Sequence, residues 1–289
     1  MRLHLLDATY ELFRAYFAMP SLHSPDGREV GAVRGVMASV LALLQEPQVT
    51  HLAAATDQVI RSFRNDLFPG YKSEVGVPHE LLEQFPLVER ALEALGVRVW
   101  AMDLYEADDA LASGAARFAA QVDQVVILTP DKDLAQCVQG ERVVLRDRRR
   151  GITYDQTGVE GKFGVPPESI PDYLALVGDS ADGLPGLVGW GAKSSAAVLR
   201  RYRRLEAIPL QGDLWEVDVR AASRLAESLQ RGMAEALVYR YLATLRRDVP
   251  LSDSLDGLRW RGVPRSAFLK LCDELGFEEI RDRPHRWSG

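Results

Sequence analysis

Three short apolar runs in this chain each stop on an aspartate: Leu3-His4-Leu5-Leu6-Asp7, Leu52-Ala53-Ala54-Ala55-Thr56-Asp57 and Val125-Val126-Ile127-Leu128-Thr129-Pro130-Asp131. As buried parallel strands they would carry their carboxylates to one edge of a sheet, where open α/β folds place ligands. Glu106, Asp108 and Asp109 share one short segment, Asp133 stands two residues past Asp131, and Asp179 and Asp182 lie in Gly178-Asp179-Ser180-Ala181-Asp182-Gly183. Two carboxylates roughly 4 Å apart repel by about 1 kcal/mol in bulk water and about 4 kcal/mol at an effective dielectric of about 20, so a convergent set demands cations. Oxygen-only ligands select Mg²⁺ or Mn²⁺, and no Cys/His spacing suggests zinc. Paired ions about 3.5–4 Å apart typically hydrolyse phosphoryl or phosphodiester groups. Singly, each aspartate reads more simply as a turn former or helix cap, and Asp108 and Asp109 suit the positive end of the helix they open. The joint pattern favours metal, because Glu106 and Asp109 lie three apart on one helix edge and Asp131-Lys132-Asp133 puts two acids on one side of an extended turn.

A second group of residues suits an anionic ligand. Gly186-Leu187-Val188-Gly189-Trp190-Gly191-Ala192-Lys193-Ser194-Ser195 places Gly186, Gly189 and Gly191 just before a helix, where backbone N–H groups can face a phosphate and Lys193 and Ser194 can assist. It is not a nucleotide-binding P-loop, since Ala192 separates Gly191 from Lys193. The glycines could equally serve turns. Two basic clusters, Arg146 to Arg150 and Arg200 to Arg204, fit either phosphates or, for the second, a helix C-terminus. Arg61, Arg64 and Lys72 follow closely on Asp57 and could clamp a scissile phosphate, although scattered arginines usually sit on a solvated face. The five histidines form no ligand spacing.

The elements that must position these groups divide the chain. Up to about Ile152, apolar runs alternate with helical patterns, the signature of a parallel sheet covered by helices. Helices are expected over Val33 to Leu44, Leu81 to Leu95 and Asp109 to Ala120, with further strands at Val97 to Met102 and Val143 to Leu145. Past Gly164, Pro166, Pro167, Pro171, Pro185 and Pro209 break the chain into short units and strand-like alternation disappears. A short helix is expected to close over Leu174 to Val177, and further helices are expected at Ala192 to Tyr202, Ala221 to Gln230 and Met233 to Leu245. Two domains follow: an α/β core over 1–164 with a short helical arch near 71–85, and a helical domain over 165–289. The 289 residues are 47% hydrophobic, enough for a core, and the net charge of −6 argues only weakly against nucleic acid. Cys137 and Cys272 are expected to be unpaired thiols in a reducing compartment. No stretch approaches the roughly 20 apolar residues of a membrane span, so a cytoplasmic protein without membrane contact is expected.

Six ordered motifs resemble the bacterial 5′ nuclease family, relatives of the 5′→3′ exonuclease domain of DNA polymerase I and of flap endonucleases. They are Leu6-Asp7 with Phe13-Arg14-Ala15-Tyr16, Asp57 with Phe63-Arg64 and Tyr71-Lys72, Glu106-Ala107-Asp108-Asp109, Asp131-Lys132-Asp133, Leu176 to Asp182, and Leu184-Pro185-Gly186. The resemblance implies a PIN-like core with a mostly parallel sheet, plus a helix-three-turn-helix over Asp179 to Tyr202. It implies Mg²⁺-dependent hydrolysis of DNA from a 5′ end, nick or 5′-flap junction, with Mn²⁺ as a substitute. Asp7, Asp57, Glu106, Asp108, Asp109, Asp131, Asp133, Asp179 and Asp182 would surround two ions, with Asp57, Glu106, Asp109 and Asp131 nearest the first and Asp133, Asp179 and Asp182 nearer the second. Lys72 would contact the scissile phosphate, assisted by Arg61, Arg64 and Tyr71. Gly186, Gly189, Gly191, Lys193, Ser194 and Arg14 would hold DNA, with K⁺ in the helix-three-turn-helix. A monomer is expected and, since 289 residues leave no room for a polymerase, a standalone nuclease.

Some positions depart from the family pattern. Ser73-Glu74-Val75-Gly76 replaces a basic arch residue after Tyr-Lys, which is expected to weaken flap threading while sparing exonucleolytic trimming. Ala8 and Pro130 alter backbone beside ligands without removing any. A 5′ nuclease acting mainly on RNA in hybrids is an alternative, as is a noncatalytic DNA-structure binder, which the intact acidic set disfavours. A haloacid-type phosphatase would need Asp-x-Asp at the first strand, where Ala8-Thr9 follow Asp7.

Overall fold

The computed structural model describes residues 1–288. The chain begins with β1 (Arg2–Asp7), α1 (Ala8–Ala18), α2 (Gly31–Leu44), β2 (His51–Asp57) and α3 (Arg64–Leu67). It continues through α4 (His79–Leu82), α5 (Phe85–Ala94), β3 (Arg98–Met102), α6 (Ala107–Phe118) and β4 (Gln124–Leu128). Then come β5 (Val143–Asp147), β6 (Ile152–Tyr154), α7 (Gln156–Phe163), α8 (Ile170–Val177), α9 (Ala192–Tyr202) and α10 (Ala222–Ala243). It closes with β7 (Val263–Pro264), α11 (Arg265–Leu275) and β8 (Trp287–Ser288). No helix is long and apolar enough to cross a membrane among the described residues.

These elements form two compact units that interleave along the chain. The first comprises Met1–Ser62, Glu74–Thr129 and the segment from Arg247 onward; the second comprises Phe63–Ser73 and Pro130–Arg246.

In the first unit four strands run parallel in the order β3-β2-β1-β4, as the apolar runs predicted. Leu3, Leu5, Leu6, Ala53, Ala54, Val125 and Ile127 are buried, as central parallel strands covered on both faces must be. The register pairs Asp7 with Ala55, Leu6 with Leu128 and Asp57 with Met102, so the carboxyl ends of all four strands reach one edge. Gly114 on α6 lets the helix approach the sheet, because a Cβ there would meet the Trp100 ring at 2.7 Å. The helix expected over Leu81 to Leu95 is instead α4 and α5, with a break before Phe85. Pro86 sits in the first turn of α5, where its missing N–H costs nothing, whereas inside a continuous helix it would remove a hydrogen bond. The C-terminal segment packs here as well. Asp253 accepts from Trp100 Nε1 at 3.0 Å, Ser113 Oγ accepts from the Val249 amide at 3.0 Å, and Glu274 on α11 holds Arg90 of α5 at 2.6 and 3.0 Å.

In the second unit α8 lies against α9 and α10, burying Leu174, Leu176, Val198, Leu199 and Leu229. The two helices expected at Ala221 to Gln230 and Met233 to Leu245 are the two halves of α10, which meet at non-helical backbone at Gly232 that marks a kink. The buried Asp172 accepts from the Leu205 amide at 2.9 Å and from Arg240 at 3.2 Å, while Arg240 also grips Glu206 through two bonds of 2.6 Å. Gln136 bridges Ala243 O and Leu245 N at 2.9 and 3.0 Å. Cys137 and Cys272 are both buried and are not joined by a disulfide, and burial pushes Cys272 up to about 11.

Candidate active site

The nine acids divide between the units. Asp7, Asp57, Glu106, Asp108 and Asp109 belong to the first, and Asp131, Asp133, Asp179 and Asp182 to the second.

In the first unit the acids stand at the carboxyl edge of the sheet and are tied to its turns. Asp7 caps α1 by accepting from the Tyr10 amide at 2.8 Å, and its other oxygen accepts from Thr129 Oγ1 at 2.8 Å. Asp57 accepts from the Ala107 amide at 2.8 Å, while its own amide donates to Thr9 Oγ1 at 2.8 Å. Glu106 and Asp109 form a reciprocal capping box at the start of α6, and Ser62 Oγ donates to Glu106 at 2.6 Å. These caps and hydroxyls fix the direction in which the carboxylates point. Asp109 is fully buried, Glu106 and Asp7 nearly so, while Asp57 and Asp108 are partly exposed. Sequence reasoning gave no role to Thr9, Ser62 or Thr129, the hydroxyls that orient these acids; their only signal was position beside an acid or at a strand end.

In the second unit Asp133, Asp179 and Asp182 each place a carboxylate oxygen within 4.8 Å of the others. Asp131 positions this group, accepting from the Asp133 amide at 2.9 Å in an Asx turn. Asp179 starts a tight antiparallel loop, exchanging backbone hydrogen bonds with Leu184, and also accepts from the Ala181 amide at 3.0 Å. Burial, and then repulsion from Asp131, Asp182 and Asp179, hold the Asp133 carboxyl well above its ordinary range against the pull of Lys132. Asp133 Oδ1 is buried with no hydrogen-bond partner. An orphaned anionic oxygen among carboxylates is costly unless a cation meets it, so the all-oxygen donor set fits a hard divalent ion. Lys132 supplies part of that charge, with its Nζ 2.7 Å from Asp179. Burial alone would lower the Lys132 pKa, but its bond to Asp179 and the surrounding acids raise it.

Among the basic residues, Lys72 is partly exposed and lies over the Tyr71 ring at 5.8 Å, with Tyr71 buried beneath it. Arg61 is exposed in the first unit. Arg64, expected to assist at the phosphate, is 1% exposed, and its guanidinium donates to Leu242 O at 2.8 Å and Thr244 O at 3.4 Å. It thus satisfies carbonyls at the end of α10, which the helix itself leaves open. Arg14 pairs with Glu11 at 2.5 Å.

The glycine turn also has structural duties. Gly186 has φ +68 and approaches Gly178 N so closely that a Cβ would stand 2.5 Å away, and Gly189 has φ +86. Ser194 bonds back to the amide and carbonyl of Gly191 at 3.1 and 3.0 Å, so its hydroxyl is a cap rather than a spare donor. Lys193 is exposed at the start of α9.

Residues 2–164 match the family described as 5′-3′ exonuclease, N-terminal resolvase-like domain, and residues 165–266 match 5′-3′ exonuclease, C-terminal SAM fold. DNA polymerase I of Bacillus caldotenax is 33% identical over 98% of this chain and 32% of its own length. That of Pseudomonas aeruginosa is 34% identical over 96% of the chain and 31% of its own length. The chain thus spans about a third of the curated relatives it matches. Solved structures share the fold, T5 5′-exonuclease and Rad2 among them. T5 5′-exonuclease with bound zinc superposes with TM-score 0.67 at 18% identity, covering 84% of this chain and 89% of that one. The catalytic core of Rad2 in complex with DNA gives 0.63 at 15% identity, covering 97% and 89%. With both family domains matched in order from residue 2 to 266, the chain belongs to the 5′-3′ exonuclease family.

Proposed function

We propose that this protein is a structure-specific 5′ nuclease that hydrolyses DNA phosphodiesters from 5′ ends or at 5′-flap junctions with divalent metal. The observation that carries the reading is the unpartnered, buried Asp133 oxygen within the Asp133, Asp179 and Asp182 group, in a chain of this family. Mg²⁺, with Mn²⁺ as a substitute, would supply Lewis acidity to the attacking water and the leaving oxygen when bound. Asp133, Asp179 and Asp182 would hold such an ion, and Asp7, Asp57, Glu106, Asp108, Asp109 and Asp131 complete the acidic set. Asp131 and the hydroxyls of Ser62 and Thr129 orient carboxylates. Lys72, with Arg61 and Tyr71 as assistants, offsets negative charge on the scissile phosphate. The turn carrying Gly186, Gly189 and Gly191, with Lys193, holds the duplex backbone, and K⁺ is the monovalent ion assigned to it. The protein acts as a cytoplasmic monomer in DNA replication or repair.

End-labelled 5′-flap, nicked, blunt and single-stranded DNA should be incubated with Mg²⁺ or with EDTA. Short 5′ products are expected only with Mg²⁺, and absence of metal-dependent product from all four substrates would overturn the reading. A matched RNA–DNA hybrid separates DNA from RNA preference.

A further inference from the structure

A cavity of about 1250 Å³ lies within the helical unit, with Lys193 on one wall and Arg220, Arg224 and Arg231 on the wall formed by α10 and the segment before it. Most arginines nearby are engaged by acids. Arg201 pairs with Glu216, Arg240 with Glu206 and Asp172, and Arg231 with Glu227. Lys193, Arg220 and Arg224 are exposed, and among the described residues no side-chain hydrogen bond or ion pair reaches them. Arg220 and Arg224 flank the start of α10, a helix N-terminus whose positive dipole end disfavours cations. Their placement works against the helix, so fold stability does not explain it.

The cavity also argues for an extended polyanion rather than a small one. It exceeds the roughly 300–1,000 Å³ of an ordinary small-molecule pocket, and Gly189, Gly191, Ala192 and the exposed Val188 line it together with the cations. Cations separated along a groove match phosphates spaced by sugars. We propose that Arg220 and Arg224 form a second row of phosphate contacts, across the groove from Lys193, which holds the backbone of the substrate's duplex arm. This rests on the nuclease reading and extends it to residues on α10 and just before it. Asp218 and Glu235 line the same groove and oppose the polyanion, so neutralising Glu235 should tighten binding.

The test is a salt series of equilibrium binding to a labelled blunt 20-base-pair duplex in EDTA, comparing wild type, the Arg220→Gln/Arg224→Gln double variant and Glu235→Gln. Each lost phosphate contact lowers the slope of log K against log salt by about 0.9, so the double variant should lose about 1.8 in slope and roughly tenfold in affinity at 0.2 M salt. Its KM with Mg²⁺ should rise by a similar factor with kcat unchanged. Both arginines are exposed, and circular dichroism checks that the variant folds. An unchanged slope and KM in a folded variant, beside a wild type that cleaves, would overturn this inference alone. A wild type that binds duplex but never cleaves would overturn the nuclease reading and leave the groove assignment standing.

Discussion

Asp133 concentrates the electrostatic problem that the site must solve. It is buried, faces three other aspartates, and keeps one oxygen without a hydrogen-bond partner. Because its folded pKa is raised, its contribution to stability is present below its ordinary value and is lost as pH rises through the folded one. At neutral pH without metal it therefore strains the fold. Asp133→Asn should raise the melting temperature in EDTA by about 2–4 °C, equivalent to about 1 kcal/mol, while abolishing any melting increase that Mg²⁺ gives wild type. A variant that melts lower in EDTA yet still responds fully to Mg²⁺ would contradict this assignment. Asp7, Asp57 and Asp131 were legible in the sequence as residues closing apolar runs. The burial of Arg64 was not, because its partners Leu242 and Thr244 lie 178 and 180 residues away, beyond any local pattern.

The elements show where local rules decide and where tertiary packing does. Strand-ending aspartates and apolar runs sufficed for β1, β2 and β4, and the capping pair Glu106 and Asp109 for the start of α6. The expected helix over Leu81 to Leu95 ignored Pro86, although its effect is a local rule. α11 has an amphipathic face built on Phe268, Leu271, Cys272 and Leu275, but isolated from its partner it carried no distinctive signal. Its docking depends partly on Glu274, whose pKa the Arg90 guanidinium lowers, against burial and with help from Arg28. A lowered carboxylate pKa stabilises above the ordinary value and ceases to do so as pH falls through the folded one. Urea titrations should show Glu274→Gln less stable than wild type by about 0.5 kcal/mol at pH 7, with the difference shrinking as pH falls through the acidic range; a difference independent of pH would rule out this linkage. Ser73-Glu74-Val75-Gly76 offers a test of a different kind, since Glu74 is exposed and Val75 is 92% exposed. Glu74→Lys should raise cleavage of a long 5′ flap severalfold relative to a recessed 5′ end, and an unchanged ratio would show that this position does not guide the flap.

At the scale of the molecule, the α/β and helical textures were readable from the sequence, but the interleaving of the compact units was not. Residues 63–73 and 247 onward join units that their neighbours in sequence do not, through contacts such as Arg64 to Leu242 and Trp100 to Asp253. No periodicity reports such pairings. Each unit nevertheless orients its own acids with its own turns and caps, which is the preorganisation a metal-dependent hydrolase requires. The most direct measurement follows release of labelled 5′ products from flap and nicked DNA by wild type and Asp179→Asn, in Mg²⁺ and in EDTA, at saturating DNA. Product should appear only with Mg²⁺ and fall at least about a hundredfold in the variant, while duplex binding in EDTA is retained. Product formed in EDTA, or an undiminished rate in Asp179→Asn, would contradict a nuclease that works through these carboxylates.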